Sequence, residues 1–261
     1  METVGYIASL FIGISLGLIG GGGSILTLPV LVYLFAISPP IAISYSLLIV
    51  GLTSLVGSFN YYQKGLVHFK TVLLFGSSSI TTVFIVRKFI ISLVPDVLFK
   101  YRSFEVTHSL FIMVVFAILM VAASVSMIKS KIIIAEKQTN EKPLVLVMYG
   151  ILIGLVTGFL GAGGGFLLIP ALVILMRLGM KEAIGTSLLI IALNSLIGFL
   201  GDIGSHPIDW KFLTIISAIA ISGIFIGSYF NQKVNSDMLK KGFGWFVLVM
   251  GIYIIVKEIS I

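Results

Sequence analysis

The chain has 261 residues, 58% of them hydrophobic and 10% charged, with a mean hydropathy of +1.18. A soluble domain carries about 25% charged residues, so this composition excludes a water-soluble globule and makes lipid the main solvent. The net charge of +7 comes from basic residues scattered among short loops, with no basic stripe interleaved with aromatics, which argues against a nucleic-acid partner.

A crossing takes roughly 20 residues. Apolar runs of sufficient length fall at 5–36, 40–61, 68–87, 105–128, 143–176, 181–201, 210–230 and 242–257. The chain opens Met1-Glu2-Thr3, without a basic leader or a small-residue cleavage site, so the first run is expected to stay in the mature protein. That run carries Gly17, Gly20, Gly21, Gly22, Gly23 and Ser24, then Pro29. Residues 88–104, with Pro95, Asp96, Lys100 and Arg102, are expected to form an interfacial segment. The polar stretch Lys129 to Lys142 marks a boundary. It gives an N-terminal membrane repeat over 1–130, a linker over 131–142 and a C-terminal repeat over 143–261, all within one integral membrane domain. The fifth run carries Gly158, Gly161, Ala162, Gly163, Gly164 and Gly165, then Pro170.

Laying Pro29 on Pro170 aligns the halves without gaps. Gly20, Gly22 and Gly23 meet Gly161, Gly163 and Gly164, and Ser46-Leu47-Leu48-Ile49 meets Ser187-Leu188-Leu189-Ile190. Thr53 meets Asn194, Ser54 meets Ser195, and His68-Phe69-Lys70 meets Asp209-Trp210-Lys211. The expected fold is therefore an all-α polytopic membrane protein made of two homologous four-element repeats, each opening with a glycine-broken helix.

A continuous helix over 5–36 would be roughly 48 Å long, against a hydrocarbon core of about 30 Å. Either it crosses once, tilted and locally unwound, or its arms form a re-entrant hairpin tipped by the glycines. Single crossings divide the basic residues almost evenly between the two sides. Hairpins place Lys64, Lys70, the 129–142 cluster, Arg177, Lys181, Lys233, Lys240 and Lys241 together. The positive-inside tendency thus favours hairpins, repeats inverted about a pseudo-two-fold axis, a cytoplasmic basic side and both termini outside.

Irregular backbone in a bilayer survives only against protein or a water-filled cavity, and paired breaks in two half-chains point to a transporter's binding site. A helix restarting near Ser24 and another near Gly165 offer unpaired N–H groups and a positive dipole end, which suit an anion. The candidate substrate-binding residues are Gly20, Gly21, Gly22, Gly23 and Ser24 in one half, and Gly161, Gly163, Gly164 and Gly165 in the other. From the following spans come Ser46, Ser187, Thr53 and Asn194, of which Asn194 is the most costly to bury alone. Helix packing is the alternative role for small residues in spans, and it accounts for Gly13, Gly17, Gly154 and Gly158. His68, His206 and Asp209 read as solvated loop residues, Asp202 and Glu182 as lying near span ends, and Arg177 and Lys181 as topology determinants, with attraction of anions at a pore mouth as their alternative role. No Asp or Glu lies deep in a predicted span, which argues against a carboxylate proton relay. No nucleophile with its base, metal motif or nucleotide loop appears, so neither a cofactor, a metal nor an enzymatic activity is expected.

The duplicated glycine segment ending in proline, the Ala-x-x-x-Ser-Leu-Leu-Ile pattern from Ala42 and Ala183, and the Asp209-Trp210 loop resemble the sulfite exporter TauE/SafE family of membrane permeases. The resemblance covers nearly the whole chain, and His68-Phe69 departs from the Asp-Trp pair of the second half. It implies a multi-pass protein of the cytoplasmic membrane that moves sulfite, sulfonates or related small organic anions. The expected function is a secondary transporter, in the export direction, working by alternating access around the two breaks. An anion channel and a non-transporting scaffold or receptor are the alternatives. The expected partners are a small anionic solute and the lipid bilayer, and a homo-oligomer is compatible with this composition.

Overall fold

The computed structural model describes residues 2–95, 97–101, 104–129, 143–161, 165–176, 178–205, 207–231 and 236–259. Helix α1 (Glu2–Ile19) ends in a 3-10 turn, Gly20–Leu26, before the short α2 (Thr27–Tyr33). Helices α3 (Pro39–Gln63) and α4 (Phe69–Ile90) follow. An antiparallel hairpin, β1 (Val97–Tyr101) with β2 (Phe104–Thr107), leads into α5 (His108–Lys129). The second half comprises α6 (Pro143–Leu160), α7 (Gly165–Leu175), α8 (Met180–Asp202), α9 (Trp210–Asn231) and α10 (Ser236–Ile259). Among the described residues, six helices, α3, α4, α5, α6, α8 and α9, are long and apolar enough to cross a membrane.

The crossing elements are helical, as expected. The segment over 88–104 differs from a simple interfacial stretch: α4 runs on to Ile90 through π-helical turns at Val72–Gly76 and Val86–Ile90, and the strands begin at Val97. The expected restart of a helix near Ser24 also moves, because the glycine run continues as a 3-10 turn and regular helix resumes at Thr27. Consecutive glycines destabilise an α-helix, so the chain reaches Thr27 before i to i+4 bonding is regained. Local chemistry sets other helix starts. Pro39 and Pro40 occupy the first turn of α3, where an N–H has no helical partner to lose. The Asp209 carboxylate accepts the N–H of Phe212 at 3.0 Å at the start of α9, and Glu182 accepts the N–H of Gly179 at 3.1 Å at the start of α8.

Helices α3 and α8 form the centre, with 72% of the most apolar window of each buried, against 33–44% for the other four. They pass each other in opposite directions: Gly51 faces Leu196, Gly198 faces Leu47 and Gly185 faces Tyr61. Around them α1 packs on α9, α4 on α6, and α5 on α10. Past its break the first half turns back on itself. Gly23 lies against Ser15 and Leu16, and the ring of Phe35 meets both Gly5 and the Tyr6 ring, whose centroid is 5.6 Å away.

Lipid tails are as apolar as leucine, so helices associate in a membrane through close packing rather than through release of water. The α1–α9 contact is built this way, with Gly13 against the Ala220 backbone, Gly17 against the Ile224 carbonyl, and Gly223 and Gly227 against Leu10 and Ile14. The α4–α6 contact repeats it with Gly150, Gly154 and Gly158 against Ser78, Ser79 and Val86. The packing role expected for Gly13, Gly17, Gly154 and Gly158 is the observed one. Gly13→Leu and Gly154→Leu should each lower stability by at least about 1–3 kcal/mol, the usual cost of overpacking. Gly242→Ala, with nothing within 4 Å of the added carbon, should not lower it and should raise it by up to about 1 kcal/mol through helix propensity. Thermal melting in detergent, followed by loss of monodisperse protein, measures the difference.

Candidate functional site

The two backbone breaks come together. Gly20 has a φ of +72° and Gly161 a φ of +63°, conformations that glycine adopts without a steric penalty. Gly20 packs on Ile184 of α8, and Gly161 packs on Ile43 of α3, so each break rests on the central helix of the other half. Gly21 then lies directly against the backbone of Gly165, and a side-chain carbon on either would strike the other's carbonyl oxygen. Ser24 is fully buried, and its hydroxyl donates to the Gly21 carbonyl at 2.8 Å within the same turn. Gly163 and Gly164 lie outside the described residues.

The polar residues of the central helices divide into two groups. Thr53 donates to the Ile49 carbonyl at 2.7 Å and Ser187 to the Ile184 carbonyl at 2.9 Å, so both hydroxyl protons are used within their own helices. Ser46 and Asn194 differ. The Asn194 amide nitrogen donates to Ser79 Oγ at 2.8 Å, while its Oδ1 has no partner among the described residues. The hydroxyls of Ser46, Ser54 and Ser195, all fully buried, have none either. Thr27 and Thr157, at the ends of the helices flanking the breaks, are in the same condition. Each such group costs about 1–3 kcal/mol if left unpaired. Of the residues singled out in the sequence, Ser46 and Asn194 thus retain the capacity to bind a polar solute, as do Ser54 and Ser195, which were aligned but not selected.

Asp202 ends α8, near a span end as expected, and is buried there in an ion pair that sequence reasoning missed. Arg87 and Asp202 are 5% and 7% exposed. Arg87 Nε donates to Asp202 Oδ1 at 2.8 Å, and Arg87 Nη2 is paired with Oδ2. Ser44 donates to the same carboxylate and accepts from Arg87 Nη2 at 3.1 Å. Arg87 Nη1 reaches the Gly158 carbonyl at 3.5 Å. The group joins α3, α4, α6 and α8 at one end of the molecule. The signal was present in the sequence: opposite charges close the third span of the first half, at Arg87, and the second span of the second half, at Asp202.

The opposite end of the central pair is open. Ser44 and Tyr61 stand roughly 25 Å apart along α3, at 1.5 Å per residue. Beside Tyr61 lies a cavity of about 340 Å³ lined by Asn60, Tyr61, Lys64, Leu66, Lys181, Ser228 and Asn231. Lys181, read from the sequence as a topology determinant, therefore faces a cavity.

His68 and Asp209 are not merely solvated. The His68 N–H donates to Thr186 Oγ1 at 3.0 Å, and the Asp209 N–H donates to the Tyr45 hydroxyl at 2.8 Å. The His68 ring nitrogen Nδ1 is 2.7 Å from Thr71 Oγ1. His206 lies outside the described residues.

A family model described as "Sulfite exporter TauE/SafE" matches residues 6–254. A "Probable membrane transporter protein" of Xylella fastidiosa (strain 9a5c) is 28% identical over 94% of this chain and 91% of its own length. The "Probable membrane transporter protein YunE" of Bacillus subtilis (strain 168) is 29% identical over 85% of each chain. No solved structure matches the chain significantly. With six helices among the described residues long and apolar enough to cross a membrane and a family match over residues 6–254, this chain belongs to the TauE/SafE sulfite exporter family and is a multi-pass membrane transporter.

Proposed function

We propose that the protein is a secondary transporter that exports a small anion, of the sulfite, sulfonate or related organic type, by alternating access around the two glycine breaks. The observation that carries this reading is the set of buried hydroxyls of Ser46, Ser54 and Ser195, without a partner among the described residues, on the two central helices against which the breaks pack. Neutral hydroxyls can donate to an oxyanion without a resident buried cation to hold it permanently. The backbone N–H groups of the Gly20–Ser24 turn and of the first turn of α7 supply the remaining donors. Asn194 Oδ1 accepts, and suits a water or a protonated oxygen accompanying the solute.

Two inverted repeats are supported by contacts that recur when Pro29 is laid on Pro170. Gly20 on Ile184 corresponds to Gly161 on Ile43, and Gly13 on Ala220 to Gly154 on Ser79. The His68 to Thr186 hydrogen bond corresponds to that from Asp209 to Tyr45. The opposed course of α3 and α8 agrees with inversion. The contact of Gly5 and Tyr6 with Phe35 agrees with a re-entrant first hairpin. In the second half, Leu146 shares one apolar cluster with Leu172 and Met176, the corresponding ends of α6 and α7. In this topology the lysine-bearing cavity opens to the cytoplasm, and both termini are outside.

The same register relates the two ends of the molecule. Asp202 corresponds to Tyr61 and Arg87 to Ser228, so the ion pair stands where the cavity-lining residues stand in the other half. We read the pair as the closed seal of the outer side, with the inner side open. Closing the cavity and parting the ion pair would expose the central hydroxyls to the opposite face.

Gly22→Leu and Gly163→Leu should each reduce anion flux in proteoliposomes to background while expression and insertion persist; flux equal to the parent in both would remove the glycine breaks from the mechanism. Asp202→Ala leaves Arg87 buried without its counter-charge and should lower stability by about 3–5 kcal/mol. Replacing both partners together, with Arg87→Met and Asp202→Leu, should restore stability without restoring transport. Parental transport by that double variant would make the pair a structural tie and not a seal.

A further inference from the structure

The cavity at the open end combines features that a topology signal alone does not require. Lys64, just past the end of α3, and Lys181, in the first turn of α8, come from different halves yet line one space. No carboxylate is among its lining residues, and neither lysine makes an ion pair among the described residues. Two ammonium groups on one cavity repel each other, and a bound anion relieves that repulsion. The amides of Asn60 and Asn231 and the hydroxyls of Tyr61 and Ser228 provide donors beside them.

The volume fixes the kind of binding. At about 340 Å³ the cavity has room for a small anion together with water, so the anion enters with part of its hydration intact. A lysine is a compact, strongly hydrated charge on a flexible stem, whereas arginine grips an oxyanion bidentately. Paired lysines on a roomy cavity therefore suit capture and release.

The α9 side of the cavity packs against the end of α1, just before the first break. The Asn231 amide donates to the carbonyl of Leu18, two residues before Gly20. Gly17 lies against the backbone nitrogen of Ser228, and Ile184, on which Gly20 packs, is one turn beyond Lys181. The α9 residues on the cavity wall are thus seated on the last turn of α1, which leads into the glycine turn.

We infer that this cavity is a second anion site, distinct from the central one: an entry vestibule in which Lys64 and Lys181 concentrate small hydrated oxyanions before they lose water at the breaks. The assignment rests on the proposed anion transport for its purpose but not for its test. Because the chain lacks cysteine, Asn60→Cys places a single thiol on the cavity wall of the reconstituted protein. Its reaction rates are compared for an anionic and a cationic methanethiosulfonate of similar size, the anionic one carrying an ethylsulfonate group. Any effect of the lysines on thiolate formation enters both rates equally and cancels in their ratio.

The anionic reagent should react about tenfold faster or more, as expected of a cleft lined by one sign of charge. The preference should shrink severalfold on Lys64→Gln or Lys181→Gln, approach unity with both, and weaken as salt rises. Equal rates in the Asn60→Cys protein, or a ratio untouched by removing both lysines, would overturn the vestibule. Sulfite flux in the lysine variants, with Asn60 intact, supplies the second reading: KM should rise severalfold with kcat retained. An unchanged KM would show that the vestibule does not lie on the sulfite path and would overturn its entry role. Absence of sulfite transport by the parent protein alongside a lysine-dependent labelling ratio would instead count against the proposed substrate and leave the anion site standing.

Discussion

Backbone that leaves the helix inside a bilayer has no water to bond with, and this constraint organises the molecule. Both breaks are pressed against the central helices and against each other, Gly20 on Ile184, Gly161 on Ile43 and Gly21 on Gly165. Only glycine permits these approaches, because a side-chain carbon at any of the three contacts would collide with its neighbour. The most deeply buried helices, α3 and α8, therefore shield the irregular segments and also carry buried polar groups of their own.

The central helices carry an excess of polar capacity over the bonds available. Thr53, Ser187 and Ser24 use their hydroxyl protons on neighbouring carbonyls, which a membrane helix does at little cost. Ser46, Ser54, Ser195 and Asn194 Oδ1 remain without partners among the described residues. In a low-dielectric setting such an excess is a standing cost, and a solute or water that binds there recovers it. Buried hydroxyls without a partner among the described residues also occur outside the central helices, at Thr27, Thr157 and Ser217.

The two ends of the molecule are chemically unequal. One is closed by Arg87, Asp202 and Ser44, drawn from two helices of the first half and one of the second, while the other carries two lysines on an open cavity. A buried ion pair contributes little net stability beyond what apolar residues of the same size would supply. Its usefulness lies in discrimination, since both charges are satisfied in one arrangement and stranded in any other unless water or solute takes the partner's place.

Much of the fold was legible in the sequence. Segment lengths and hydropathy specify a lipid-embedded helical protein. The glycine runs locate the interruptions, because no other composition so disfavours a helix there, and the common register of the halves anticipates which positions recur. Other features depended on three-dimensional placement. A one-dimensional hydropathy profile puts Arg87 and Asp202 at span ends, where charges ordinarily meet headgroups, and only the packing of α4 on α8 turns them inward to each other. Thr53 and Ser46 look alike as buried hydroxyls on one helix, yet one bonds its own backbone and the other does not. Lys64 and Lys181 read as separate loop charges until α3 and α8 bring their ends to one cavity. Solvent class and interruption follow from residue type alone, whereas pairing, exposure and free bonding capacity follow from which helices are neighbours, a property of the assembled bundle.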